Sequence, residues 1–160
     1  ADILTKDENR IKYMADNGCK EILIGIESGS NKILKIINKQ TTVELNIKAI
    51  KMLHDNGIRV KASMIIGLPN ETTETLMETW GFCNIVRDYV SDWDFSVLVP
   101  YPGSDICNHP EKYDVIYDRD DIYNPFKVGG VEWKAIVSTT SLSKDDITRW
   151  RNKFAKEFKK

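Results

Sequence analysis

The sequence predicts an α/β chain. It reads as half of a partial (β/α) barrel of the TIM type, three parallel β/α units long, with a small irregular α+β extension behind it. Three observations predict this. Apolar runs at Ile22-Leu23-Ile24, Met64-Ile65-Ile66 and Phe95-Ser96-Val97-Leu98-Val99 each end in a turn built from glycine, serine or proline. The first two turns lead straight into helical patterns, the signature of strand, turn and helix in succession. Asp16-Asn17-Gly18 before the first run recurs as Asp55-Asn56-Gly57 before the second. A repeat at one-unit spacing implies parallel strands joined by right-handed crossovers. Three units are too few to close a barrel, so the chain is expected to be the later part of a longer one. Residues 1–106 read as the barrel half and 107–160 as the extension.

Each element has a local cause. Thr5-Lys6-Asp7-Glu8 is a capping-box pattern that opens a helix over about Lys6 to Asn17, with Ile11, Met14 and Ala15 on its apolar face. Gly18 stops it. The first strand covers about Lys20 to Ile26, and a short helix about Asn31 to Ile37. Thr41-Thr42-Val43-Glu44 reads as a second capping box. It starts a helix to about Asn56 with Val43, Ile47, Ile50 and Leu53 on one face. The second strand is Arg59 to Ile66. Thr72 or Thr73 caps a long helix carrying Leu76, Trp80, Cys83 and Arg87 on one stripe, and Asp94 to Val99 is the third strand. The strands read as continuous apolar runs, the pattern of strands covered on both faces.

The extension is weaker in pattern. Asn108 to Pro125 is polar, acidic and tyrosine-rich and reads as loop with short pieces of structure. Val128-Gly129-Gly130-Val131 fits a two-residue hairpin turn. Ser143-Lys144-Asp145-Asp146 caps a last helix with Ile147, Trp150, Phe154 and Phe158 on one face.

Composition excludes several classes. The 160 residues suffice for a core of ordinary size, and a formal net charge of −1 gives no bulk attraction to nucleic acid or anionic membrane. No apolar run is long enough to span a bilayer and no signal peptide is visible, so no membrane partner is expected; the odd number of scattered cysteines makes a reducing cytoplasm the expected setting. The three cysteines, Cys19, Cys83 and Cys107, are scattered, so neither a disulfide framework nor a zinc site is expected. His54 and His109 have neither a partner acid nor metal-ligand spacing around them and are not expected to be ligands.

The chemistry concentrates in the turns. Gly25-Ile26-Glu27-Ser28-Gly29-Ser30 places one acid among glycines and serines at the carboxyl end of a strand, where α/β sheets hold ligands. Ile66-Gly67-Leu68-Pro69-Asn70-Glu71-Thr72 repeats the design, and Pro100-Tyr101-Pro102-Gly103-Ser104 follows the third strand. A single turn of this kind is more often scaffold than site. Glu71 reads first as a turn or helix N-terminal acid, Lys39 as a solvated helix-end lysine, and Tyr101 equally as packing or as a substrate contact.

Together, in order and one β/α unit apart, these three segments resemble the radical S-adenosylmethionine (radical SAM) enzymes. The likeness runs from about Ala1 to Ser104 and is nearest to the cobalamin-domain, MiaB-like and Elp3-like branches. It implies a partial six-unit barrel whose 4Fe-4S cluster loop, Cys-x3-Cys-x2-Cys, follows the first strand. No such triad is present in this sequence, and by resemblance the first strand here would be the family's fourth. By resemblance, Glu27 and Ser28 meet the ribose of S-adenosylmethionine, with Gly29 beside them. Ser63, Ile65 and Gly67 line the adenine and methionine side, and the backbone near Val99 touches adenine. The resemblance assigns no catalytic residue and no metal ligand to this chain. It implies the missing N-terminal half and an unknown substrate as partners, and cobalamin through a separate domain. Asn70 stands where the family has glycine, and Asn tolerates positive φ well. Ser63 stands where glycine is common.

Two functions are compatible with these residues. One is a piece of an iron-sulfur oxidoreductase that cleaves S-adenosylmethionine reductively, inactive alone for want of the cluster cysteines. The other is a non-catalytic α/β nucleotide-binding or scaffold module. The isolated chain is expected to self-associate through the first strand, whose Ile22, Leu23, Ile24 and Ile26 are apolar.

Overall fold

A computed structural model describes residues 8–122 and 134–159. It contains α1 (Glu8–Asp16), β1 (Glu21–Glu27), α2 (Asn31–Ile36), α3 (Val43–Asp55), β2 (Arg59–Ile66), α4 (Thr73–Val86) and β3 (Asp92–Val97). Three parallel strands form one sheet in the order β1-β2-β3. After β3 come α5 (Asp105–Asn108), a 3-10 turn (Pro110–Tyr113), β4 (Ile116–Tyr117), α6 (Arg119–Ile122), β5 (Val137–Ser138) and α7 (Lys144–Phe158). β4 and β5 pair antiparallel as a small second sheet. Thr5 and the Val128–Val131 hairpin lie outside the described residues.

Caps set the helix starts. Thr72 and Thr75 form a reciprocal capping box on α4, and Ser143 and Asp146 form another on α7. The expected box at Thr41 is corrected by one residue. Thr42 is the cap, its hydroxyl accepting from the Leu45 amide at 3.3 Å. Glu44 therefore falls one position short of reaching back. It accepts instead from Nδ2 of Asn31 at 3.2 Å, which joins α3 to the start of α2.

β3 lies two residues earlier than the hydropathy of its segment suggests, because pairing with β2 decides its span. Ser91 donates to the Val60 carbonyl at 2.8 Å, and Leu98 donates to the Ile66 carbonyl at 2.9 Å. Beyond that rung β2 ends at Gly67, whose φ is 87°.

The register Ile24↔Ala62↔Trp93 gives the sheet two unlike faces. Ile24, Ile26, Val60, Ala62, Met64, Ile66, Trp93, Phe95 and Val97 are buried on the helix side. Leu23, Gly25, Glu27, Lys61, Ser63, Ile65, Asp94 and Ser96 alternate with them and keep contact with solvent. The runs are thus not covered on both faces. Met64, Ile66 and Phe95 thus face the helices and not an open barrel interior.

The last helix explains much of that cover. Phe154 of α7 stacks on Phe95 with centroids 5.3 Å apart, and Phe158 meets Trp80 at 4.9 Å. Such ring pairs contribute about 0.5–1.5 kcal/mol each beyond their buried area. Nε of Arg151 donates to the Phe95 carbonyl at 2.8 Å, which ties α7 to the edge strand β3. Val115, Val137, Ile147 and Phe158, from beyond residue 106, belong to the same hydrophobic core as the three-stranded sheet.

Candidate functional site

The site begins where β1 breaks its pairing. Gly25 stands opposite Ser63, but Glu27 stands opposite Met64, so one extra residue is accommodated between them. Such bulges re-aim a side chain beside a site. Glu27 takes the left-handed conformation at φ 68°, which an unbranched non-glycine residue adopts only at a cost. Its carboxylate folds back over Gly25. A Cβ added at Gly25 would lie 2.5 Å from Oε1 of Glu27, so glycine is required for that approach. Nζ of Lys39 donates to the same oxygen at 2.7 Å.

Lys39 is therefore not a solvated helix-end residue. It reaches back to the turn and holds the acid in place, with 34% of its side chain exposed against 17% for Glu27. The half-exposed setting makes this an ordinary pair in energy, but a specific one in geometry.

The other expected residues divide. Ser63 and Ile65 lie half-buried on the open sheet face, one strand over from Gly25. Ser28 is wholly buried, and its hydroxyl lies 3.2 Å from Oγ1 of Thr79 on α4, so it points toward that helix. Gly29 also packs on α4, where an added Cβ would come within 2.5 Å of Phe82. Gly67 donates its amide to Oε2 of Glu71 at 2.7 Å. Val99 lies half-buried in the loop after β3, against the core.

Glu71 acts as the turn acid of the second motif, in a manner the sequence does not show. It is fully buried, and burial pushes its carboxyl up to about 8 in spite of the Gly67 and Leu68 amides, which work against the shift. Its second oxygen, Oε1, has no hydrogen-bond partner. At neutral pH the group is largely a neutral acid. Asn70 beside it takes φ 57°, the left-handed conformation expected of it.

Sequence reasoning also missed Thr79. Its signal was a polar residue one turn beyond Thr75 on an otherwise apolar helix face. His54 and His109 do have acids near them, Asp55 at 3.4 Å and Glu111 at 3.7 Å, each a close sequence neighbour in an exposed position.

The cysteines do not converge. Cys83 is buried in α4, with its thiol pushed up by desolvation, whereas Cys19 and Cys107 are half-exposed on other segments. Among the described residues no three metal-ligating side chains come together. A 4Fe-4S cluster does not fit the donors these residues offer. Also among the described residues, no helix is long and apolar enough to cross a membrane. A cleft of ≈ 440 Å³ lies between α2 and the start of α3, lined by Asn31, Leu34, Lys35, Gln40 and Thr42 among others. It contains none of the expected site residues. The Glu27 carboxylate, the bulge and the bare Cα of Gly25 come together instead on the open face of the sheet.

The family model of the radical SAM superfamily matches residues 2–83. Over 106 residues the chain is 39% identical to the anaerobic magnesium-protoporphyrin IX monomethyl ester cyclase of Rubrivivax gelatinosus, covering 66% of this chain and 18% of that one. The coproporphyrinogen III oxidase of Escherichia coli, a radical SAM enzyme, superposes with a TM-score of 0.63 at 13% identity, over 94% of this chain and 30% of the other. The Elp3 protein of Methanocaldococcus infernus superposes with a TM-score of 0.59 at 17% identity, over 94% and 39%. These two likenesses speak to the fold. The chain spans about a fifth of the length of the curated relatives it matches.

Proposed function

This chain belongs to the radical SAM superfamily, and from that premise we propose that it forms the carboxyl-terminal half of the catalytic barrel of an iron-sulfur oxidoreductase. Its role there is to hold the adenosyl part of S-adenosylmethionine. Members of the superfamily use S-adenosylmethionine and a 4Fe-4S cluster; in this reading the two, when bound, would supply the radical by reductive cleavage. The cluster donors are not among the described residues, whose own part is to bind and orient the adenosyl group.

The observation that carries the reading is the placement of Glu27. Its carboxylate is fixed at the carboxyl end of β1 by a bulge below, Lys39 beside it and the bare Cα of Gly25 beneath. A ribose presents two neighbouring hydroxyl donors, and an ionised carboxylate accepts from both. Lys39 limits the rotamers the acid can adopt. Ser63 offers a hydroxyl and Ile65 an apolar side chain on the adjoining strand, which suits an adenine edge and face. Glu71, buried and closed into its own turn, is no ligand in this reading and shapes the backbone at Gly67 instead.

A nucleotide-binding module without catalysis would share the Glu27 shelf, but membership of an enzyme superfamily favours the first reading. The test is equilibrium binding of S-adenosylmethionine, without reductant, to the full-length protein and to its Glu27→Gln variant. A hydrogen bond to a charged group contributes about 1.5–3 kcal/mol, so affinity should fall by roughly tenfold to a hundredfold. Equal affinity would leave Glu27 a structural role only.

A further inference from the structure

Four polar groups link the Glu27 turn to a helix that follows a different strand. Ser30 donates its amide to Oγ of Ser28 at 3.2 Å, and Gly29 donates its amide to Oγ1 of Thr79 at 3.1 Å. The Ser28 and Thr79 hydroxyls lie 3.2 Å apart, and Thr79 donates to the Thr75 carbonyl at 3.0 Å. A hydroxyl has one proton to give. Thr79 gives its proton to Thr75, so Ser28 must be the donor between the two hydroxyls. The direction of the whole chain is thereby fixed: Ser30 to Ser28, Ser28 and Gly29 to Thr79, Thr79 to Thr75.

Every member is buried, Ser28 and Thr79 almost completely. Buried networks that are fully satisfied hold one geometry, and losing one member leaves others unpaired. Thr75 continues the line, because its hydroxyl donates to the Thr72 carbonyl and accepts the Thr72 amide at the cap of α4. α4 thus carries a ladder of threonines from the turn after β2 to the turn after β1. Gly29 lets the two backbones close, since the Cα of Thr79 lies 2.7 Å from where a Cβ would stand.

We propose that Thr79 is a positioning residue, which sets the Glu27 carboxylate for the adenosyl ligand by fixing Ser28 and Gly29 immediately behind it. The inference rests on the function proposed above. Glu27 has an unfavourable φ, and the residues after it are what over-determine that conformation.

Two readouts test it on the full-length protein with Thr79→Val, Thr79→Ser and Ser28→Ala. The first needs no ligand. A carbodiimide couples Glu27 to Lys39 only while they stay in contact, and mass spectrometry measures the yield. The second is affinity for S-adenosylmethionine without reductant. In Thr79→Val the coupling yield should drop several-fold and affinity should weaken by about tenfold, the scale of losing hydrogen bonds in a buried turn. Ser28→Ala should move both in the same direction from the other side of the contact. Thr79→Ser should restore both, which a purely volumetric role for the residue would not produce. An unchanged coupling yield in Thr79→Val and Ser28→Ala would overturn the proposal. A reduced yield together with an affinity indifferent to Glu27→Gln would instead overturn the adenosyl reading and leave the positioning intact.

Discussion

Nζ of Lys39 lies 2.7 Å from Oε1 of Glu27, and both atoms hang over the bare Cα of Gly25. A methyl group at residue 25 would stand 2.5 Å from the carboxylate oxygen and 3.1 Å from the ammonium. No carbon and oxygen tolerate the first distance, so the acid must move. Gly25→Ala in the full-length protein should therefore weaken S-adenosylmethionine binding by roughly tenfold or more, as is expected of Glu27→Gln. Isothermal calorimetry of the two variants side by side checks this. Native affinity in Gly25→Ala would show that the carboxylate has another productive position.

Glu71 gives a prediction about pH. Its carboxyl is pushed from the ordinary 4.5 up to about 8 by burial. The folded chain therefore keeps a proton that the unfolded chain releases across that interval. The stability it contributes is full below the ordinary value and is lost as pH rises toward 8, at a slope approaching roughly 1.4 kcal/mol per pH unit. Glu71→Gln still presents an oxygen to the Gly67 amide but has no proton to lose. Urea unfolding from pH 5 to 9 should show the variant gaining on the native chain as pH rises. Parallel curves would mean that the native carboxyl is ionised throughout.

β1 is an edge strand with no second neighbour among the described residues, and Leu23 on it is 60% exposed. Exposed apolar edges recruit other strands. Sedimentation of this chain alone should show concentration-dependent association, abolished by Leu23→Lys. Ile24 is only 6% exposed, on the helix side, so a charge there would report on core packing instead. A monomer at all concentrations, or an oligomer indifferent to Leu23→Lys, would locate any contact elsewhere.

Much of this fold was legible because local signals agreed. Apolar runs, glycine stops and threonine or serine caps placed β1, β2 and the starts of α4 and α7 within a residue or two. What was not legible depended on pairing across space. The span of β3 is set by rungs to Val60 and Ile66, which hydropathy does not contain. The face that each strand buries was misjudged because apolar residues at Leu23 and Ile65 masked a strict alternation. At the site, Glu27 stood out by its residue type and its turn. Lys39 did not, because a lysine after a short helix looks the same whether it meets solvent or an acid twelve residues earlier. Thr79 was hidden in an apolar helix for the same reason.

That this stretch of chain supplies the adenosyl side of the site is tested most directly by photolabelling. An 8-azidoadenosyl analogue of S-adenosylmethionine, bound to the full-length protein and irradiated, should mark peptides that contain Ser63–Gly67 or the loop at Val99. Excess S-adenosylmethionine should suppress the marking, and Glu27→Gln should diminish it. Label confined to peptides outside residues 1–160, with none on these strand ends, would contradict the assignment.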